Sequence, residues 1–133
     1  MVIIDTSVVY KWFTTTEEKR EEAKEFLVHH LNNIEPIWVP DLLLYEIVNA
    51  WTTKTVLTKR EVNDNISLLQ TYELTIIPST FRLLIKASDL AKKYAISVYD
   101  AVYIALAEEN RCAVITADEK LIKKVNLPFV AGL

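Results

Sequence analysis

Three carboxylates stand alone in segments that otherwise read as buried core. Asp5 is the only charged residue between Val2 and Val9. Glu46 is the only one between Leu42 and Trp51, and Asp100 the only one between Ile96 and Ala107. Taking an unpaired carboxylate out of water is costly or forces its protonation. Each acid has an ordinary structural explanation. Asp5 can cap a helix that follows the first apolar run. Glu46 can pair with a buried Lys or Arg. Asp100 can sit in a first helical turn, where the helix dipole favours acids. These are three separate explanations, whereas one shared cation site accounts for all three residues. Asp118, in Thr116-Ala117-Asp118-Glu119, is a fourth candidate. Its position after an apolar run counts for more than its type, because Thr116 and Glu119 can themselves form a capping box.

The chemistry suited to such a set is that of hard cations. Mg²⁺ and Mn²⁺ take oxygen ligands, and Mg²⁺ keeps several waters. One or two ions can bridge a scissile phosphate, lower the pKa of a bound water and neutralise the leaving oxygen. Paired ions of this kind sit roughly 3.5–4 Å apart. No histidine is required, and His29 and His30 read as part of a solvated helix face. The single cysteine, Cys112, excludes an internal disulfide and a cysteine-rich zinc site. It reads as a small apolar residue beside a strand. The single glycine, Gly132, excludes glycine-rich phosphate loops.

The elements that must position these acids alternate. Val2–Ile4, Ile37–Val39 (between Pro36 and Pro40), Leu74–Ile77 and Ala113–Ile115 predict buried strands, and Pro128–Val130 a fifth. Helices are expected over Ser7–Phe13, Asp41–Thr53, Val98–Glu109 and Thr116–Lys124. Two capping boxes, Thr15-Thr16-Glu17-Glu18 and Thr58-Lys59-Arg60-Glu61, open helices that run to His30 and to about Tyr72. Ser79 is expected to cap a helix reaching Tyr94. Strands alternating with helices predict an α/β domain with a parallel sheet covered on both faces. In such a sheet ligands bind beyond the carboxyl ends of the strands. Asp5 and Asp118 each follow a strand and so lie on that edge. Glu46 and Asp100 lie within helices that must lean over it. Asn49, three residues after Glu46, is expected on the same helix face.

The chain has 133 residues, 51% of them hydrophobic and 25% charged, which fits one globular domain over residues 1–133. Its N-terminus shows no basic leader and no run is long enough to cross a bilayer, so the expectation is a soluble, cytoplasmic protein. The net charge of −3 argues against tight binding of RNA without a cation. Lys11, Lys54, Lys59, Arg60, Lys92, Lys93, Lys123 and Lys124 read mainly as solvated faces. Trp12, Trp38 and Trp51 read as core or dimer packing rather than base-stacking platforms. The helices carrying Trp51 and Tyr103 look too apolar all round for a lone small domain.

Four stretches together resemble the PIN-domain family, in its VapC toxin type. Val2-Ile3-Ile4-Asp5-Thr6-Ser7-Val8-Val9, with Lys11-Trp12-Phe13 after it, resembles the opening motif. Pro40-Asp41-Leu42-Leu43-Leu44-Tyr45-Glu46-Ile47-Val48-Asn49-Ala50 resembles the second. Ser97-Val98-Tyr99-Asp100-Ala101-Val102-Tyr103-Ile104-Ala105-Leu106-Ala107 resembles the third and most specific, and Ile115-Thr116-Ala117-Asp118-Glu119-Lys120-Leu121 the fourth. The motifs fall in the family's order and span nearly the whole chain. The resemblance implies a three-layer α/β/α domain with about five parallel strands. It also implies a Mg²⁺- or Mn²⁺-dependent endoribonuclease acting on single-stranded or structured RNA, a homodimer, and a toxin silenced by a small antitoxin protein. By position, Asp5, Glu46, Asp100 and Asp118 become the acidic metal cluster. Thr6, Ser7, Asn49 and Thr116 become groups that orient it.

Rival readings stand beside this one. A phosphatase with an aspartyl nucleophile wants a second Asp two residues after Asp5, where this chain has Ser7. A receiver-like signalling domain wants a mid-chain Asp directly after a strand, where this chain has Pro78-Ser79-Thr80. A PIN-like RNA-binding or assembly module without activity, or a housekeeping nuclease, would keep the fold and change the role.

Overall fold

Short apolar runs become the strands. β1 (Val2–Ile4), β2 (Ile37–Pro40), β3 (Thr75–Ile77), β4 (Val114–Ile115) and β5 (Val130–Ala131) form one sheet in a computed structural model describing residues 1–133. The order is β3-β2-β1-β4-β5, and every neighbouring pair is parallel. Val2 faces Ile37 on one side of β1, and Ile3 faces Val114 on the other. All three residues of β1 are buried, the pattern of a central strand covered on both faces.

Parallel strands need crossover connections. Here they are the helices α1 (Thr6–Phe13), α2 (Arg20–Leu31), α3 (Leu42–Thr53), α4 (Lys59–Thr71), α5 (Phe81–Tyr94), α6 (Val98–Glu109) and α7 (Glu119–Val125). α1 packs on α2 and α3, and α3 on α4. α5 packs on α6, which lies against β1, β2 and β4. The result is the expected three-layer α/β/α architecture, with the strands and helices close to their expected places.

The all-round apolar character of α6 has an internal cause. Seven consecutive residues, Ala101–Ala107, are buried because the helix is enclosed between α5 and the sheet. Tyr103 is 4% exposed and Trp51 only 1%. Trp51 meets Phe13 edge-on at 4.8 Å between ring centroids. These residues therefore fill the core of a single chain, which selects the core over the dimer reading of Trp51.

Three local expectations are corrected by longer-range bonds. The Thr15–Glu18 capping box does not form: α2 starts at Arg20, after Lys19 in the left-handed region at φ 54°. The turns before α2 are held by Lys11, whose buried ammonium donates to Glu17 Oε2 at 3.2 Å and to the Glu18 carbonyl at 2.9 Å. Thr80, not Ser79, caps α5. Ser79 is engaged elsewhere, its amide donating to Asp41 Oδ2 at 3.0 Å and its hydroxyl to Asp41 Oδ1 at 2.6 Å. The third correction is His30, which is half-buried rather than solvated. Its Nδ1 accepts from the Ile37 amide at 3.0 Å, so Nε2 carries the proton and donates to the Tyr72 carbonyl at 2.8 Å.

His30 thus ties α2 to the start of β2 and to the end of α4. A side chain without these groups leaves one amide and one carbonyl unpaired, at about 1–3 kcal/mol for each that stays dry. His30→Leu should lower the unfolding free energy by about 2 kcal/mol, read as a shifted urea midpoint at unchanged slope. An unshifted midpoint would mean that the imidazole bonds do not brace the fold.

Candidate active site

All five strands run the same way, so their carboxyl ends share one edge, and the chain leaves β1 there at Asp5. Asp5 is buried and caps α1: its Oδ1 accepts from the Ser7 amide at 2.9 Å and also from the Ser7 hydroxyl. The capping explanation is therefore correct, yet it does not remove the charge problem. Burial pushes the Asp5 carboxyl from 3.8 up to about 6, against the opposing pull of hydrogen bonds from Ser7 and Thr116. Desolvation wins over hydrogen bonding.

Ser7 and Thr116 link this acid to the end of β4. The Ser7 hydroxyl accepts from the Ala117 amide at 2.9 Å, and buried Thr116 accepts from the Asp118 amide at 3.1 Å. Asp118 is exposed and caps α7, its Oδ1 accepting from the Leu121 amide at 3.1 Å. The cap is Asp118 itself, not the Thr116–Glu119 box. Asp118 borders a cleft of roughly 550 Å³ whose wall also includes Lys11, Thr116 and Lys120.

Asp100 lies in the first turn of α6, a helix capped by Ser97, and is half-buried. Partial burial raises its pKa, and the charges of Asp118 and Glu46 raise it further, against a hydrogen bond from Ser97. Asp100 thus stands within electrostatic reach of the two acids brought in by α7 and α3. Glu46 has no cationic partner, contrary to the ordinary explanation. Two hydroxyls hold it: Thr6 Oγ1 donates to Glu46 Oε1 at 2.9 Å and Tyr103 OH donates to the same oxygen at 2.6 Å.

Seven of the eight candidate residues therefore belong to one connected region. Asn49 does not join them. It is exposed, and its Oδ1 accepts from Thr53 at 3.3 Å. Three residues along a helix leave it about 60° off the Glu46 direction, enough to turn it to solvent. No group of three or more acidic, His or Cys side chains converges closely enough, as they stand, to hold a single ion. The oxygens fit a hard cation in type. Their mutual repulsion, seen at Asp100, opposes closer approach.

Sequence reasoning missed Tyr103, and it read Lys11 as part of a solvated face although the residue is buried. Burial and the charge of Glu46 push the Tyr103 phenol far above its usual range, so it stays a neutral donor. Its signal was a hydroxyl three residues after Asp100 in an otherwise apolar helix. The signal for Lys11 was a lone basic residue in an apolar helix.

Comparison with known proteins decides the family. The PIN domain family profile matches residues 2–127. The chain belongs to the PIN-domain family. A relative in Pyrobaculum aerophilum, ribonuclease VapC3, is 28% identical over 127 residues, covering 92% of this chain and 93% of that protein. Among solved structures, this PIN domain resembles VapC20 of Mycobacterium tuberculosis, a sarcin-ricin loop cleaving toxin. The TM-score is 0.73 at 15% identity, over 98% of this chain and 97% of the other. A chain of a toxin–antitoxin complex from Klebsiella pneumoniae gives 0.71 at 16% identity, over 100% and 96%. At such identities the likeness shows the shared fold. No helix of this PIN domain is long and apolar enough to cross a membrane.

The raised Asp5 carboxyl has a sign that can be measured. In chelator, the folded chain keeps this proton up to about pH 6, whereas the unfolded chain loses it near 3.8. Native protein then binds more protons than unfolded protein across that window. Stability contributed by the neutral acid is lost as pH rises from about 4 to about 6, on the order of 2–3 kcal/mol in all. Asp5→Asn keeps the capping oxygen and lacks the titration. Its stability relative to the parent should grow across this window and level off above it, in urea unfolding followed from about pH 4 to about pH 7. A difference independent of pH would show that Asp5 acts as a cap alone.

Proposed function

We propose that this PIN domain is a Mg²⁺- or Mn²⁺-dependent endoribonuclease and the toxin of a toxin–antitoxin pair. The observation that supports the reading is a buried, unneutralised Asp5 at the sheet edge where Asp100 feels the charges of both Glu46 and Asp118. The 28% identity to a ribonuclease along nearly the whole chain supports it. Asp5 and Asp100 are the principal ligands, and Glu46 and Asp118 complete the set. Ser7 and Thr116 orient Asp5, and Thr6 orients Glu46. A bound cation supplies charge neutralisation at the phosphate and an acidified water. The carboxylates would hold that charge at the sheet edge, where their own repulsion becomes attraction to a shared ion. RNA is the substrate class, and a chain of net charge −3 meets a polyanion best through such an ion.

The toxin reading carries a protein partner. An antitoxin would lay an amphipathic segment on exposed apolar surface and point an arginine at the carboxylates, where one guanidinium can pair with two oxygens. Single-stranded RNA should be cut with Mn²⁺ present and left whole in chelator. Asp5→Asn or Asp100→Asn should fall below about a hundredth of the parent rate, with unchanged circular dichroism. The product of the adjoining small gene should suppress the parent's cleavage. Cutting that survives chelator and both substitutions would end the metal reading. Cutting that no neighbouring product restrains would leave a housekeeping nuclease.

We also infer a two-fold homodimer, through the exposed apolar face of α5 and the start of α6 and not through Trp51 and Tyr103, which are buried. Phe81 (88% exposed) and Ile85 (65%) on α5 lie on the same layer as Val98 and Tyr99 (62%) at the start of α6. Two such faces can cover one another under a two-fold axis. Sedimentation at micromolar concentration should give a dimer for the parent and a monomer for Phe81→Glu. A parent that sediments as a monomer, or a Phe81→Glu variant that stays dimeric, would refute this surface.

A further inference from the structure

Glu46 is a long side chain with several rotatable bonds, and none of the ion pairs in the chain includes it. It is nevertheless held in one place. Thr6 Oγ1 stands 2.9 Å and Tyr103 OH 2.6 Å from Oε1, and the two hydroxyls are 2.8 Å from each other. Both donors address the same carboxylate oxygen, and no hydrogen bond of the chain reaches Oε2. The donors come from telling places. Thr6 follows Asp5 and opens α1, and Tyr103 lies three residues after Asp100 on α6. The elements that supply two of the acids also clamp the third.

We propose that Tyr103, with Thr6, is a positioning residue that fixes Glu46 for cation binding, holding Oε1 and leaving Oε2 without a protein partner. This rests on reading the acids as a cation site. Physically, a free Glu side chain must give up rotamer freedom when it binds an ion. Two hydroxyls fixed in a packed core have already taken that cost. Groups one step behind metal ligands commonly change affinity or activity by about 10–100-fold when removed. The ordinary alternative is that a buried phenol merely needs an acceptor. That role would make Tyr103→Phe less stable without touching ion affinity.

The test is Mn²⁺ titration of the full chain by electron paramagnetic resonance, with melting in chelator alongside. Tyr103→Phe and Thr6→Val should each weaken Mn²⁺ binding by about ten-fold, while Thr6→Ser, which keeps the hydroxyl, stays close to the parent. Glu46→Gln should also weaken binding, and adding Tyr103→Phe to it should cause no further loss, because coupled residues are not additive. Parent affinity in both Tyr103→Phe and Thr6→Val, with only the melting temperature lowered, would overturn the proposal and leave the cation site standing. Undiminished loss from Tyr103→Phe in the Glu46→Gln background would overturn it too, since the phenol would then act through another group. A parent that binds no Mn²⁺ would overturn the cation reading and this inference together.

Discussion

A carboxylate at the end of the central strand must be stabilised without water, and much of the chain around it meets that demand. Asp5 follows Ile4, which is fully buried, and precedes a helix whose Val8 and Val9 are also fully buried. Desolvation outweighs four hydrogen-bond contributions there and lifts the acid to about 6. The penalty of charging it near neutral pH is a few kcal/mol, a sizeable part of the roughly 5–15 kcal/mol that holds a domain together. Such a group persists only if the core around it is strong enough to keep it in place. Here β1 is paired on both sides and covered by α6, which supplies that core.

The same core brings distant acids together. β1 leads directly into α1, β2 into α3, and β4 into the turn before α7, so a parallel sheet delivers three segments to one edge without further design. α6 is the exception, since it reaches the edge from the side of the molecule where α5 packs on it. Its burial along Ala101–Ala107 fixes both Asp100, at its start, and Tyr103, one turn later. The Thr6–Glu46–Tyr103 contact then joins α1, α3 and α6 at one carboxylate oxygen. An error in the placement of any of these helices would leave a charge or a hydroxyl unpaired in low dielectric, where it is most costly.

What was legible in the sequence was local or periodic. Strand β1, the span of α6 and the Thr58 cap of α4 are where the pattern of residues puts them. Asp5, Glu46 and Asp100 stand out because each breaks an apolar run, and Asp118 because it follows one. Features set by partners far along the chain were not legible. Ser79 reads as a cap, but Asp41, 38 residues away, takes its hydroxyl. Thr15–Glu18 reads as a capping box until a buried Lys11 ammonium claims the carboxylate and a carbonyl. His30 reads as a surface residue because its acceptor carbonyl belongs to Tyr72, 42 residues on. Tyr103 reads as packing because its partners lie 57 and 97 residues before it. The apolar content of α6 likewise reads as a partner surface, but α5 and the sheet bury Ala101–Ala107. Periodicity reports how much of a helix is buried, but not whether its own chain or another one buries it.

Lysine placement bears on how a chain of this charge would engage RNA on the proposed reading. Lys11 lies in the wall of the cleft beside Asp118. Its ammonium is already committed to Glu17 and to the Glu18 carbonyl. The remaining acids of the edge, Asp5, Glu46 and Asp100, have no ion-pair partner at all. The chain therefore spends its one buried cation on shaping the segment before α2 and keeps its carboxylates unneutralised. On the proposed reading, electrostatics would make the ion a condition of substrate approach as well as of chemistry. Without it, a phosphodiester meets carboxylates across a short, poorly screened distance; with it, the sign of the local field reverses. On that reading, affinity for RNA and affinity for the cation would be linked, each strengthening the other by the same factor.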